Sequence, residues 1–111
     1  MRDDRVFLKH ILAEAEYINS ATAGLQYEDL LKDETLQRAV IRSLEIIGEA
    51  SKNVSNDFKG QHADVEWKAM AGLRDKLIHA YFGVDWRTVW SVIKEKIPPL
   101  KQAVVSILNE H

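Results

Sequence analysis

The chain has 111 residues, a length that fits one domain with a modest single core. Hydrophobic residues make up 46% and charged residues 29%, and the absence of cysteine excludes disulfide frameworks and thiolate metal sites. The formal net charge of −2 argues against a general nucleic-acid coat protein, which needs many basic phosphate contacts, and leaves room for a local phosphate site.

Composition also bears on where the protein works. The first five residues carry charges of both signs, and no apolar run of the kind found in signal peptides follows them. No stretch approaches the roughly 18 apolar residues of a membrane span. We therefore expect a cytoplasmic protein with no membrane association and a single domain over residues 1–111.

Apolar residues recur at helical spacing, and strand patterns are nearly absent. The spacing predicts a first helix over about 3–21 and, after a short turn at 27–31, a second over about 34–54. Asp33 is the expected N-cap of the second helix. Turn residues make 53–63 the least structured stretch.

A third helix is predicted from Asp64, its expected N-cap, to near residue 82. Asp85 should cap a last helix that Pro98 and Pro99 kink or restart near Ile97, because proline removes a backbone donor and clashes with the preceding turn. The fold class is therefore all-α, an up-and-down four-helix bundle with a short extra helix and a proline-kinked last helix.

Two features of the second helix leave alternatives open. Gly48 lies in mid-helix, where glycine costs about 1 kcal/mol relative to alanine, so another helix should approach closely, from this chain or from a second copy. A charged stripe follows at steps of three and four residues, and it is either a solvated face with ion pairs or a functional surface. It consists of Arg38, Arg42, Glu45, Glu49 and Lys52.

The third helix carries four chemically active side chains: Arg74, Asp75, His79 and Tyr81. Asp75 and His79 are four apart, so the carboxylate can meet the imidazole and fix its tautomer. Arg74 and His79 are five apart and thus about 140° apart around an ideal helix. For both side chains to reach one ligand, the arginine must wrap around the helix, the helix must be distorted, or two such helices must combine their residues across a dimer axis.

These residues permit phosphodiester cleavage without a metal. An imidazole can move the proton of a ribose hydroxyl, and a guanidinium can stabilise charge on phosphate oxygens. The alternative is structural, because a lone helical histidine is more often exposed or structural and Tyr81 fits a core edge. The four histidines share no metal-ligand spacing, so no metal site is expected. The tryptophans at 67, 86 and 90 fall on core-face positions.

The segment from Arg74 to Tyr81 resembles the R-x4-H-x-Y motif of HepT-like toxins, a branch of the HEPN superfamily. The likeness includes Gly48-Glu49-Ala50 in the second helix and Trp67, Val84-Asp85 and Val89-Trp90 around the motif. It therefore covers essentially the whole chain.

The resemblance implies a HEPN-like helical fold, a homodimer with composite active sites, and metal-independent endoribonuclease activity without a cofactor. It assigns catalysis to Arg74 and His79, assisted by Asp75, where family members commonly carry asparagine. It further implies a type VII toxin–antitoxin pair, in which a minimal nucleotidyltransferase (MNT) antitoxin transfers AMP to Tyr81 and blocks cleavage of the RNA substrate.

Two other functions fit parts of the chain. A non-catalytic HEPN helical partner that binds and regulates a nucleotidyltransferase would accommodate the acidic net charge and Asp75. A purely structural dimerisation module would account for Gly48 but leaves the motif unexplained.

Overall fold

Helices make up most of the described chain. A computed structural model describes residues 3–78 and 83–110, and at positions 74, 77 and 78 it describes the backbone alone. The helices are α1 Asp4–Thr22, α2 Tyr27–Lys32, α3 Glu34–Asn53, α4 Asn56–Gln61, α5 Trp67–Ala71, α6 Leu73–Ile78, α7 Trp86–Ser91, a π-helical segment Val92–Lys96 and α8 Ile97–Glu110. These ranges contain no strand, which confirms the all-α prediction. None of these helices has both the length and the apolar character needed to cross a bilayer.

The core forms around α3. Helix α1 packs between α8 and α3, and α3 packs in turn against α5 and α6. The predicted inward-facing residues of α3 are buried, as are most of the predicted α1 stripe, and Gly48 is buried within the single chain. The place of Gly48 in the core thus requires no second copy. The fully buried large apolar side chains are Leu8, Ile11, Ile18, Leu30, Val40, Leu44, Ile47, Ile93, Ile97 and Val104.

Side-chain caps set the starts of the two longest helices. Asp3 accepts a hydrogen bond from the Arg5 N–H at 2.9 Å, and Asp33 accepts one from the Leu36 N–H at 3.0 Å. These bonds satisfy backbone donors that have no partner inside the helix. The Asp33 cap was expected from the sequence and is confirmed. The predicted turn after α1 instead contains the short helix α2.

The stretch predicted to be the least structured contains α4, so that prediction was wrong. The Ser55 hydroxyl accepts from the Phe58 N–H at 3.2 Å and donates to Asp4 Oδ2 at 2.8 Å, while the Ser55 N–H donates to Asp4 Oδ1 at 2.9 Å. Ser55 therefore caps α4 and ties it to the start of α1. This tertiary tie joins residues 51 positions apart, which local turn propensity does not register.

The predicted third helix is broken and starts later than expected. Helix α5 begins at Trp67, after Glu66 and not after Asp64, and Gly72 separates it from α6. At Gly72 φ is −75° and ψ is −10°, so ψ departs from the helical value of about −42°. The predicted end near residue 82 lies outside the described residues.

The last helix restarts at Ile97, as the two prolines predict. Before it, the backbone widens into the π-helical segment, where the Ile97 N–H donates to the Val92 carbonyl. Pro98 and Pro99 occupy the first turn of α8. N–H groups in the first turn have no acceptor within their own helix, so proline is tolerated there.

Asp85 caps α7, as expected from the sequence. Its Oδ2 accepts from the Thr88 hydroxyl at 2.7 Å and its Oδ1 from the Thr88 N–H at 3.2 Å. The hydrogen bond from the Thr88 side chain, followed by that from the Thr88 backbone, holds the pKa of Asp85 below its ordinary value.

We expect this cap to make stability depend on pH. A lowered folded-state pKa adds stability that is complete above the unfolded pKa of about 4 and is lost as pH falls through the folded pKa. Asp85→Asn should therefore lower Tm at neutral pH, and the Tm difference from the parent chain should shrink in acid. Circular dichroism melts across pH measure this, with Asp64→Asn in an exposed loop as the control. A Tm difference that stays constant from neutral to acidic pH would contradict the role of the charge.

Candidate functional site

The motif starts on α6, which lies against α3. Leu73 is buried in the core at the start of this helix, whereas Asp75 and Lys76 are exposed. The Lys76 N–H donates to the Gly72 carbonyl at 3.1 Å, so helical hydrogen bonding spans the start of α6. One face of α6 is therefore fixed to the core, and Asp75 faces solvent.

The structure places the predicted site residues unequally. Asp75 is described in full, and Arg74 is described as a backbone position within α6. The Arg74 side chain and the whole of His79 and Tyr81 lie outside the described residues. The meeting of Asp75 with His79, and the relative placement of Arg74 and His79, therefore stay predictions.

A tryptophan anchors the helix pair that carries the motif. The buried Trp67 donates from Nε1 to the His62 carbonyl at 2.9 Å. Phe58 packs edge-on against Trp67, with ring centroids 6.4 Å apart, and Phe58 also stacks near His62 at 4.5 Å. Because α5 is locked to α4 in this way, the start of α6 has a fixed position on the surface of α3.

The chain after the motif turns at a glycine. Gly83 has φ of +154°, in the region that favours glycine. Val84 follows as a half-buried residue, and Asp85 then caps α7. From Gly83 the chain continues into α7, and Val84 lines a cavity together with residues of α2 and α3.

A groove opens where these elements meet. We call it the α2–α7 groove, and its cavity volume is about 640 Å³. Its lining combines apolar side chains with two basic residues, one acidic residue and one amide: Leu31, Ile41, Val84, Trp86, Lys32, Arg38, Glu34 and Gln37. Arg38 and Glu34 form an ion pair at 2.7 Å, but both side chains are about three-quarters exposed (80% and 74%).

The opposite end of the α2/α7 contact is closed by aromatic rings. The rings of Tyr27 and Trp90 lie 6.3 Å apart, so α2 and α7 run antiparallel, with Leu31 and Trp86 at the open end. The Arg87 guanidinium lies 4.6 Å from the centre of the Tyr27 ring. The Lys94 ammonium lies 4.7 Å from the centre of the Trp90 ring. One cation therefore lies over each ring of this aromatic pair, at the end of the α2/α7 contact that is away from the groove.

Sequence reasoning did not find this groove. It assigned all three tryptophans to core packing. Trp67 is buried in the core, and Trp86 and Trp90 are half-buried and pack against it, but Trp86 also lines the groove. A signal was present, because Tyr27 and Leu31 are four apart on α2, as are Trp86 and Trp90 on α7. The pairing of the two helices is a tertiary fact, and spacing within one helix does not reveal it.

Part of the charged stripe on α3 lines a second cavity. Arg42, Glu45 and Glu49 border a space of about 390 Å³ between α1 and α3, together with His10. The stripe is therefore not uniformly a flat solvated face. Acidic and basic groups alternate around this cavity, so its lining does not present the single sign of charge that would attract a polyanion.

Comparison with known proteins identifies relatives from bacteria and archaea. One from Caldanaerobacter subterraneus subsp. tengcongensis, named "Putative RNase", is 48% identical over 110 residues, covering 99% of this chain and 98% of the relative. The "Probable ribonuclease HepT" of Thermococcus cleftensis is 53% identical over 100 residues, covering 90% and 91%. A "Putative RNase" of Methanocaldococcus jannaschii is 43% identical over 103 residues, covering 93% and 94%.

No solved structure matches the chain. The model of the family described as "Ribonuclease HepT-like" matches residues 11–107, a range that contains the whole motif and the α2–α7 groove. The chain therefore belongs to the ribonuclease HepT-like family.

Proposed function

We propose that the protein is the toxin of a type VII HepT/MNT toxin–antitoxin pair, a metal-independent endoribonuclease that acts in the cytoplasm as a homodimer. The family match over residues 11–107 carries this proposal, because that range contains Arg74, Asp75, His79 and Tyr81, the residues through which the sequence resembles the R-x4-H-x-Y motif. Three relatives with ribonuclease names support it.

In the proposed reaction, the histidine removes a proton and the arginine stabilises charge. The His79 imidazole takes the proton of a ribose 2′-hydroxyl, and that oxygen attacks the adjacent phosphorus. The bond from phosphorus to the 5′-oxygen breaks, a proton passes to the leaving oxygen, and a 2′,3′-cyclic phosphate remains. The Arg74 guanidinium stabilises the negative charge on the phosphate oxygens during this exchange.

Asp75 has a positioning role in this proposal. The carboxylate is exposed on α6 and lies one helical turn before His79 in sequence. A carboxylate at that spacing favours one tautomer of the imidazole and stabilises its protonated form. It also places a negative charge near the path of the RNA backbone, which lowers affinity for phosphate.

The offset between the two catalytic residues supports a dimeric site. Positions 74 and 79 are about 140° apart on an ideal helix, so one straight helix over both positions would not direct both side chains to one phosphate. Two copies of the motif facing each other would supply an arginine and a histidine to each site. The homodimer is therefore part of the catalytic proposal.

Tyr81 is the proposed control point. An MNT antitoxin would transfer AMP from ATP to the Tyr81 hydroxyl: the phenolic oxygen forms a bond to the α-phosphorus, pyrophosphate leaves, and the hydroxyl proton is released. The added phosphate carries negative charge and bulk two residues beyond His79. RNA phosphate would then be repelled from the site.

A second candidate is the non-catalytic helical partner of a nucleotidyltransferase. The exposed Asp75 carboxylate favours it, because family ribonucleases commonly carry a neutral asparagine there. In this case the motif would serve recognition by the transferase and not cleavage. Cleavage assays separate the two functions.

We expect purified protein to cleave RNA in the presence of a chelator. His79→Ala and Arg74→Ala should each reduce the cleavage rate by about 100-fold or more, the size of a lost acid–base or charge-stabilising group. Lys76→Ala, exposed on α6 at a position that the motif leaves unspecified, is the matched control and should keep the parent rate. Equal and negligible cleavage by the parent chain and His79→Ala would overturn the enzyme proposal in favour of the non-catalytic partner.

Co-expression with a minimal nucleotidyltransferase of the proposed antitoxin type should add adenylyl mass to the intact chain. Tyr81→Phe should remove this gain, because it deletes the acceptor oxygen. Tyr17→Phe is the control, since Tyr17 is a tyrosine outside the motif with 46% of its surface exposed. If Tyr81→Phe still gains adenylyl mass in intact-protein mass spectrometry, the assignment of the modification site is wrong.

A further inference from the structure

We propose that the α2–α7 groove is an RNA subsite that holds one unpaired nucleobase beside the cleaved phosphodiester, a proposal that rests on the ribonuclease function above. The groove combines an apolar floor, an aromatic wall and a basic rim. This combination fits a flat aromatic base joined to an anionic backbone, and single-stranded nucleic acids are commonly bound in this way.

The walls suit the faces of a base. The half-buried Ile41 and Val84 line the groove, and the half-buried Trp86 offers an indole ring for stacking. Leu31 stands at the mouth with 43% of its surface exposed, unusually high for a large apolar side chain in this chain. A volume of about 640 Å³ accommodates one base with its sugar and falls in the usual range for small-ligand sites.

The rim suits the phosphates. Lys32 and Arg38 line the groove, and Glu34 is the acidic residue that lines it with them. The Arg38–Glu34 pair is exposed and within one helix, so it is weak and an incoming phosphate can replace the carboxylate. Beyond the groove, Arg87 on α7 and Lys94 on the π-helical segment that follows it lie over the rings of Tyr27 and Trp90, where they can meet the phosphates of a continuing strand.

One hydrogen-bonding group in the groove has a fixed orientation. The Gln37 Nε2 donates to the carbonyl oxygens of Leu30 and Leu31, at 2.9 and 3.3 Å. Carbonyl oxygens only accept, so the nitrogen must be on that side and the Gln37 Oε1 is left as the acceptor. An acceptor pairs with the exocyclic amine of cytosine or adenine, whereas uracil has a carbonyl at the corresponding position. We therefore expect cytosine to bind better than uracil.

The groove is also within reach of the proposed catalytic residue. Val84 follows His79 by five residues, and five extended residues span at most about 18 Å. One RNA strand can therefore place a phosphate at the motif and a neighbouring base in the groove. A partner helix is a poorer fit, because helix-binding grooves present a row of anchor pockets along several turns.

The test measures binding apart from cleavage. In the His79→Ala chain, anisotropy titrations with short fluorescein-labelled oligocytidylate and oligouridylate are run at one fixed salt concentration. Leu31→Asp should raise the Kd for oligocytidylate about tenfold by placing a carboxylate at the mouth, and Trp86→Leu should do the same by removing the stacking ring. Oligocytidylate should bind about fivefold more tightly than oligouridylate, the value of one hydrogen bond.

Val6→Asp is the matched control for Leu31→Asp, because Val6 is a similarly exposed apolar residue on α1, at 47%. It should leave RNA affinity at the parent value. Equal affinities for the Leu31→Asp and Val6→Asp chains would overturn the subsite. The subsite would also be overturned if the Leu31→Asp chain kept its RNA affinity but had a changed sedimentation coefficient. That result would assign the groove to a protein partner. Equal binding of the two oligonucleotides would overturn the role of Gln37.

Cleavage by the chain with His79 intact separates this inference from the proposed function. If that chain cleaves RNA and Leu31→Asp cleaves it at the same rate and sites, the subsite is wrong and the enzyme stands. If the chain binds oligocytidylate through the groove but does not cleave RNA, the ribonuclease is wrong.

Discussion

Burial of α3 on two flanks is the constraint on which the rest of the structure depends. Leu44 and Ile47 are fully buried, and the helix packs against α1 on one flank and against α5 and α6 on the other. Burying two flanks of one helix removes more apolar surface from water than a single stripe can. Both proposed parts of the RNA site adjoin this helix: α6 packs against it, and Gln37 and Ile41 of α3 line the α2–α7 groove.

The same arrangement connects the motif to the groove. Trp67 fixes α5 at one end, and the Asp85 cap fixes the start of α7 at the other. The motif residues lie in the chain between these two points. A site held by anchored flanks can differ in its reactive residues while the scaffold stays the same.

Local patterns predicted the features that depend on nearby residues. Helical spacing gave the apolar faces of α1 and α3, acidic residues marked the caps at Asp33 and Asp85, and the two prolines marked the restart at Ile97. Features that depend on distant contacts were missed. Helix α4 relies on the Ser55 bonds to Asp4, and the groove arises only because α2 and α7 pack antiparallel. The identity of the proposed catalytic residues came from family resemblance, since a histidine four residues after an aspartate is common in structural helices.

Metal-independent cleavage is tested most directly by the chemistry of the RNA ends. Purified protein is incubated with a defined RNA in chelator, and the fragments are analysed by mass spectrometry. Attack by the ribose 2′-hydroxyl under general-base catalysis by His79 predicts fragments ending in 2′,3′-cyclic phosphate that are missing with His79→Ala. Fragments ending in 3′-hydroxyl groups, or cyclic-phosphate fragments formed equally well by His79→Ala, would contradict it.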